Sequence, residues 1–191
     1  MTTTARPQSS CSEVRSTGPD PRSCPLDIIA GDLRRARKVC EDLDAISGSE
    51  TLDPDLTRQA LRGLRTDLPR HLRDTTEDLL PLLRRRCPSG DGLARSLARI
   101  GNDLDLARDG LPDLCNLVAR CLGTGCPPTV PDAVTLACGT RRLRRYLMAG
   151  KAILLPLARS LLTARDRQTL CLRLQERRGT DPGRFRRGSA P

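Results

Sequence analysis

Aromatic residues and histidine are scarce in this chain of 191 residues. Tyr146 and Phe185 are its only aromatic residues, and His71 is its only histidine. So few aromatic rings leave little for the base stacking that single-stranded nucleic-acid binding uses. The cysteines lack paired C-x-x-C spacing and there is no second histidine, so a structural zinc site is not expected. The hydrophobic core must therefore be aliphatic. Because leucine dominates and the alternating pattern of strands is missing, the sequence predicts an all-α protein.

Long apolar runs are also missing. Stretches such as 152–155 are far too short to cross a membrane, so no membrane span is expected. The N-terminal residues lack the apolar segment of a secretion signal. Nine cysteines in such a chain predict reduced thiols and a cytoplasmic protein. Cys40, Cys121 and Cys171 lie at helical positions, where we expect them to pack as small apolar residues.

Recognisable catalytic motifs are missing as well. The chain has no glycine-rich phosphate-binding loop, and no nucleophile lies at a recognisable spacing from His71. The acidic pairs Glu41-Asp42 and Glu77-Asp78 are typical of solvated helix faces rather than of catalytic carboxylates. The sequence therefore predicts a protein that is not an enzyme.

Basic charge is concentrated at the C-terminal end. Residues 141–191 carry 14 basic and three acidic residues, a net charge of +11, whereas residues 1–140 carry 19 basic and 20 acidic residues, a net charge of −1. This surplus favours an anionic partner. The candidate anion-binding cluster is Arg141, Arg142, Arg144 and Arg145. It predicts salt-sensitive nucleic-acid binding, although a solvated helix face is the favoured interpretation.

Leucines recur at three- and four-residue steps along most of the chain, which predicts amphipathic helices. The predicted helices are 25–46, 54–86 with Pro69 as a candidate kink, 91–122 with Pro112 as a candidate break, 132–162, and a short fifth helix ending at 178. Four long helices with short connections predict an antiparallel up-down bundle over residues 25–178. Residues 1–24 and 179–191 are expected to be a disordered tail and a flexible basic tail.

A polar residue immediately precedes a core leucine in each of the four long helices. These residues are Asp32, His71, Asp103 and Tyr146. Side chains at such positions converge in helix bundles, which is how metal sites are built there. We favour a polar network in which the aspartates pair with arginines, because a buried unpaired charge is costly. A single metal ion held by these four side chains is the alternative, and it would require Tyr146 to lose its proton.

The second helix carries His71, Thr75 and the segment Leu79-Leu80-Pro81, and the fourth carries the segment 150–159, GKAILLPLAR. Both resemble the matching helices of the bacterial hemerythrin-like (HHE cation-binding) domain family, and the resemblance covers about residues 26–179. It implies a four-helix bundle from a bacterium. In that family, histidines and bridging carboxylates hold two irons that bind or sense oxygen or related small ligands.

The resemblance also implies which residues stand at the family's iron-ligand positions. Three of the family's histidine positions fall on Asp32, Asp103 and Tyr146, and the two bridging carboxylate positions fall on Thr75 and Gly150. A di-iron centre is therefore not expected.

Three hypotheses for function follow. The first is a degenerate hemerythrin-like protein that has lost the di-iron site and serves, without a cofactor, as a regulatory or interaction module for an unidentified protein partner. The second is a metal- or small-ligand-binding sensor with a reduced site at Asp32, His71 and Asp103. The third is a basic accessory protein that binds nucleic acid through its C-terminal quarter.

Overall fold

Leucine stripes and helix caps determine where the helices lie. The computed structural model describes residues 24–87 and 92–179, and all regular structure there is helical, without a strand. This confirms the all-α prediction. The helices are α1 (Pro25–Ser47), α2 (54–86), α3 (92–124), α4 (130–161) and α5 (Ala164–Gly179). Most residues of the two predicted tails, 1–23 and 180–191, lie outside the described part.

Side-chain caps start two of the helices. The carboxylate of Asp53 accepts hydrogen bonds from the backbone N–H groups of Asp55 and Leu56 at the start of α2. Thr163 and Asp166 bond each other's backbone N–H groups at the start of α5. These bonds satisfy donors that have no partner within the first turn. A capping box formed by Thr129 and Asp132 starts α4, two residues earlier than predicted.

Three prolines inside long helices are preceded by a wide, π-helical turn. The residue before each proline donates its backbone N–H to a carbonyl five residues earlier. The three bonds are Leu68 to Gly63 before Pro69, Leu80 to Thr75 before Pro81, and Leu155 to Gly150 before Pro156. Because a proline ring crowds the preceding turn and supplies no N–H, a locally wider turn lets each helix continue.

Helix α3 is interrupted where a break was predicted. Its two segments, Gly92–Asp109 and Leu111–Thr124, are separated by Gly110. Pro112 lies in the first turn of the second segment, where its missing N–H costs nothing. The break therefore falls two residues before the proline.

Leucine supplies two thirds of the buried hydrophobic core, and isoleucine, valine, alanine, two cysteines and Tyr146 supply the rest. Contacts between helix ends fix how the helices are placed around it. The end of α1 meets the start of α4 where Ser47 Oγ donates to the carbonyl of Ala133 at 3.2 Å. The end of α2 meets the start of α5 where Arg86 pairs with Asp166 at 2.9 Å. Within the described residues, none of the helices combines the length and apolar character needed to cross a membrane.

Candidate functional site

Three buried polar side chains bond to one another between α2 and α4. The hydroxyl of Tyr146 lies 2.8 Å from Nε2 of His71 and 3.2 Å from Oγ1 of Thr75. Thr75 also donates to the backbone carbonyl of His71 at 2.9 Å, one turn earlier in α2. All three residues are completely buried. We call this group the His–Tyr–Thr chain.

The directions of these hydrogen bonds determine the tautomer of His71. Thr75 uses its only proton on the carbonyl of His71, so Thr75 must accept from Tyr146, and Tyr146 must accept from Nε2–H of His71. The other ring nitrogen, Nδ1, is buried without a hydrogen-bond partner. This assignment leaves a lone pair rather than an N–H group unsatisfied. Each group therefore donates to the next one, from the imidazole to the phenol, from the phenol to the threonine hydroxyl, and from that hydroxyl to the carbonyl.

Burial keeps this chain neutral. Desolvation lowers the pKa of His71 to about 4, against the opposing pull of nearby Asp32. Desolvation likewise raises the pKa of Tyr146 above its ordinary value of 10.0. At neutral pH the imidazole therefore carries one proton and the phenol keeps its own.

Gly150 is closely surrounded by larger side chains. A Cβ atom added at Gly150 would lie 3.1 Å from Leu33 Cδ2 and 4.0 Å from the ring of Tyr146. The two larger side chains occupy the volume that a longer residue at position 150 would need. Gly150 and Thr75 are also the carbonyl acceptors of two of the wide turns.

The two predicted aspartates are bound by arginines, as the polar-network interpretation expects. Asp32 is buried and pairs with Arg35 of α1 and, at 2.7 Å, with Arg178 of α5. Asp103 is partly exposed and pairs with Arg145, away from the His–Tyr–Thr chain. The structure therefore brings His71 and Tyr146 into contact, places Asp32 within electrostatic influence of both, and holds Asp103 in a separate ion pair.

A buried ionic cluster joins α5 to α1 and α2, and the sequence analysis missed it. Arg178 bridges Asp32 of α1 and Asp74 of α2, at 2.7 and 3.0 Å. Arg177 binds Asp74 at 2.8 Å and Asp78 at 2.7 Å. The carboxylates are completely or almost completely buried. Removing one partner of such an ion pair destabilises the fold, because the remaining charge would be buried without compensation.

The assignment of the acidic pairs to solvated faces was therefore wrong for one member of each. Asp78 is buried under α5, and Asp42 is buried between Lys38 at 2.6 Å and Gln59 at 2.9 Å. A signal was available in the sequence: Asp74 and Asp78 are four residues apart on α2, so they share a helix face. The matching signal on α5 is the spacing of Arg173 and Arg177.

Burial in the cluster changes the pKa of Asp74. Desolvation raises its pKa to about 6, and the neighbouring Asp32 adds to this, while Arg178 and Arg177 oppose it. Asp74 therefore changes charge in mildly acidic solution, at the point where α5 is attached to α2.

Two of the four arginines in the predicted anion-binding cluster are already in ion pairs with carboxylates. Arg144 is paired with Asp44 and Arg145 with Asp103. The remaining two, Arg141 and Arg142, are exposed and make no ion pair or hydrogen bond within the described residues.

The cysteines behave mostly as packing residues. Cys40 and Cys121 are buried, as predicted, whereas Cys171 is only half-buried. Desolvation raises the pKa of the Cys40 thiol to about 12. A thiol with such a pKa is almost never ionised at neutral pH and is therefore unreactive.

Comparison of the chain with protein-family models, curated proteins and solved structures gave no match.

The side chains themselves show whether a di-iron centre fits this site. Such a centre needs several neutral imidazoles and carboxylates that bridge two metals. Here the single imidazole donates its Nε2 proton to Tyr146. Neither Thr75 nor Gly150 carries a carboxylate, and the carboxylate of Asp32 is bound by arginines. These residues do not fit di-iron. Across the described residues, no group of three or more His, Cys, Asp and Glu is placed to hold a metal.

Proposed function

We propose that this chain is a degenerate hemerythrin-like protein of the bacterial cytoplasm that works without di-iron chemistry, as a regulatory or interaction module. The observation that carries the proposal is the His–Tyr–Thr chain, in which Tyr146 is hydrogen-bonded to Nε2 of the only histidine in the sequence. These hydrogen bonds stabilise the packing of α2 against α4 and engage the Nε2 position of His71.

The proposal includes an antiparallel up-down four-helix bundle with α5 packed against it. Its support is the order in which residues of neighbouring helices meet. The pairs Asp27–Arg159 and Ser47–Ala133 join opposite ends of α1 and α4. Similarly, Asp42 meets Gln59 across the α1–α2 connection. Contacts of this order are those of antiparallel neighbours.

Metal analysis of untagged protein tests the proposal. We expect iron, zinc and manganese far below one ion per chain after purification and after incubation with each metal. A variant in which Cys126 and Cys138 are replaced by serine removes the fully exposed thiols of the described residues. Stoichiometric metal that survives these replacements and is lost in His71→Gln would overturn the proposal and favour the sensor hypothesis. Circular dichroism of His71→Gln shows whether its fold is kept.

A basic accessory role is the second candidate. It is favoured by Arg141 and Arg142, which are exposed and have no ion pair among residues 24–87 and 92–179. If this pair binds nucleic acid, affinity for unrelated duplexes must fall steeply with added salt. It must also fall when both arginines are replaced by glutamine. Binding that lacks either property would argue against this role.

A further inference from the structure

A groove of about 600 Å³ lies between α3 and α4 on the outside of the protein. Its apolar floor includes Leu106 from α3 and Met148 and Ile153 from α4. The neighbouring Ala149 and Ala152 have short side chains, which leaves the groove open between the larger ones. The groove has the shape of a channel bordered by two helices, a form that accepts a third helix.

The floor of this groove is unusually exposed. Six large hydrophobic side chains are exposed among the described residues, and three of them gather here: Leu106 at 43%, Met148 at 71% and Ile153 at 37%. Single exposed apolar residues are ordinary, but a contiguous group marks a contact surface. Met148 adds a flexible, polarizable side chain of the kind that adapts to a partner.

The rim of the groove is positively charged. Arg99 lines it and makes no ion pair or hydrogen bond within the described part of the chain. The one carboxylate in the lining, Asp103, is already bound by Arg145. Two further exposed cations, Arg142 and Lys151, lie three residues from Arg145 and Met148 on α4, which places each pair side by side.

We infer that this groove binds an acidic amphipathic helix of a partner protein. Apolar side chains at three- and four-residue steps would cover Leu106, Met148 and Ile153, while flanking Asp and Glu residues would face Arg99 and Lys151. The inference rests on the proposed role as an interaction module and names its surface and the chemistry of its partner.

Two other occupants fit the groove less well. A second copy of the same face would bring two positively charged rims together, in a chain that already carries a net charge of +10. Nucleic acid would leave the apolar floor exposed, since it binds basic grooves through phosphates and aromatic platforms.

Selection from a displayed library of random peptides tests the inference on the full chain. Peptides of about 16 residues span some four helical turns, enough to follow the groove. We expect enrichment of sequences with leucine-like anchors at helical spacing and an excess of Asp and Glu. Synthetic copies, followed by fluorescence anisotropy, should bind Met148→Glu at least tenfold more weakly than the unmodified chain. The matched control, Leu172→Glu, changes a similarly exposed hydrophobic residue on α5 and should bind within twofold.

A charge exchange tests the rim separately. Arg99→Glu should weaken an acidic peptide about tenfold, or 1.4 kcal/mol, and replacing the facing peptide acid with lysine should restore the affinity. Circular dichroism confirms that each variant is folded. No enrichment, selected peptides without acidic excess, or equal binding to Met148→Glu would overturn the inference. So would self-association, or binding of duplex DNA, that Met148→Glu abolishes.

The outcomes separate this inference from the proposal it rests on. Selected peptides that bind on another face would overturn the groove assignment and leave an interaction module in place. Stoichiometric metal lost in His71→Gln would overturn the proposed function, whatever the peptides do at the groove.

Discussion

The phenol oxygen of Tyr146 lies 2.8 Å from Nε2 of His71, in the buried interior between α2 and α4. The two residues are 75 positions apart in the chain, so their contact records how the two helices are aligned. A buried bond of this kind permits one alignment and penalises others, because a shift of one turn would leave both polar groups without partners.

Tyr146→Phe removes one oxygen and preserves the ring. We expect it to lower the free energy of unfolding by about 1–3 kcal/mol, because Nε2–H of His71 would be left as a buried donor without an acceptor. Urea denaturation followed by circular dichroism measures the change. An unchanged midpoint would show that this bond contributes nothing to stability.

Thr140→Val is the matched control for that substitution. The hydroxyl of Thr140 is also buried, on the same helix, but it has no hydrogen-bond partner. Replacing it with a methyl group removes an unsatisfied polar atom, so we expect stability to be unchanged or to rise by about 1 kcal/mol. Equal losses in the two variants would attribute the effect at Tyr146 to packing instead.

His71 and Asp74 make the stability depend on pH with opposite signs. The pKa of His71 is about 4 in the folded protein against an ordinary 6.5, so over that range only the unfolded chain takes up the proton and stability falls as the pH falls. The pKa of Asp74 is about 6 against an ordinary 3.8, so the folded protein takes up more proton and stability rises as the pH falls. The two effects oppose each other between pH 4 and 6.

Replacing either residue should expose the effect of the other. With Asp74→Asn, we expect the free energy of unfolding to drop more steeply than in the unmodified chain between pH 6.5 and 4, by about 3 kcal/mol. With His71→Gln, which keeps a donor toward Tyr146, the slope should change in the opposite direction. Urea midpoints at several pH values measure both slopes, and parallel curves for all three proteins would refute the assignment.

Arg178→Ala should detach α5. Its guanidinium bridges Asp32 and Asp74, so its removal leaves two buried carboxylates with less compensation, at a cost of about 3 kcal/mol. Arg165→Ala, at an exposed position on the same helix, should cost less than about 0.5 kcal/mol. Hydrogen exchange should show α5 amides exchanging faster in Arg178→Ala alone. Equal exchange in both variants would mean that packing, rather than the ionic cluster, attaches α5.

The helices were predictable because the leucine period is a local property of the chain. Helix α1 was expected to end at Ile46 and ends at Ser47, and α2 starts at Pro54, as expected. The buried ionic cluster was not predicted, because Asp74 and Asp78 are buried only by a helix about a hundred residues later. Adjacent acidic residues are therefore predicted to be solvent-exposed unless the helix that covers them is known.

The candidate site shows the same division between local and long-range information. The position of Tyr146 at the edge of a core stripe was evident from the sequence, and so was that of His71. Their hydrogen bond was not, because it depends on the alignment of α2 against α4. Asp103 shared the same pattern, yet an exposed arginine one helix away holds it outside the centre.

Gly63 of α2 packs directly against Val39 of α1. A Cβ atom at this position would overlap Cγ2 of Val39, and the branched side chain of valine has little rotational freedom within a helix. We therefore expect Gly63→Ala to lower the free energy of unfolding by about 1–3 kcal/mol through overpacking. Gly123→Ala is the control, since nothing lies within 4 Å of its added methyl group, and it should be neutral or stabilise by about 0.5–1 kcal/mol.

A second substitution distinguishes overpacking from a backbone effect at Gly63. If the added methyl group is harmful only because Val39 fills the space, then Val39→Ala combined with Gly63→Ala should cost less than the sum of the two single changes. The shortfall is the interaction energy of the pair, which we expect at about 1 kcal/mol for residues in direct contact. Urea denaturation of the four proteins in the cycle measures it. Strict additivity would place the cost in the wide turn that begins at Gly63, and not in its contact with α1.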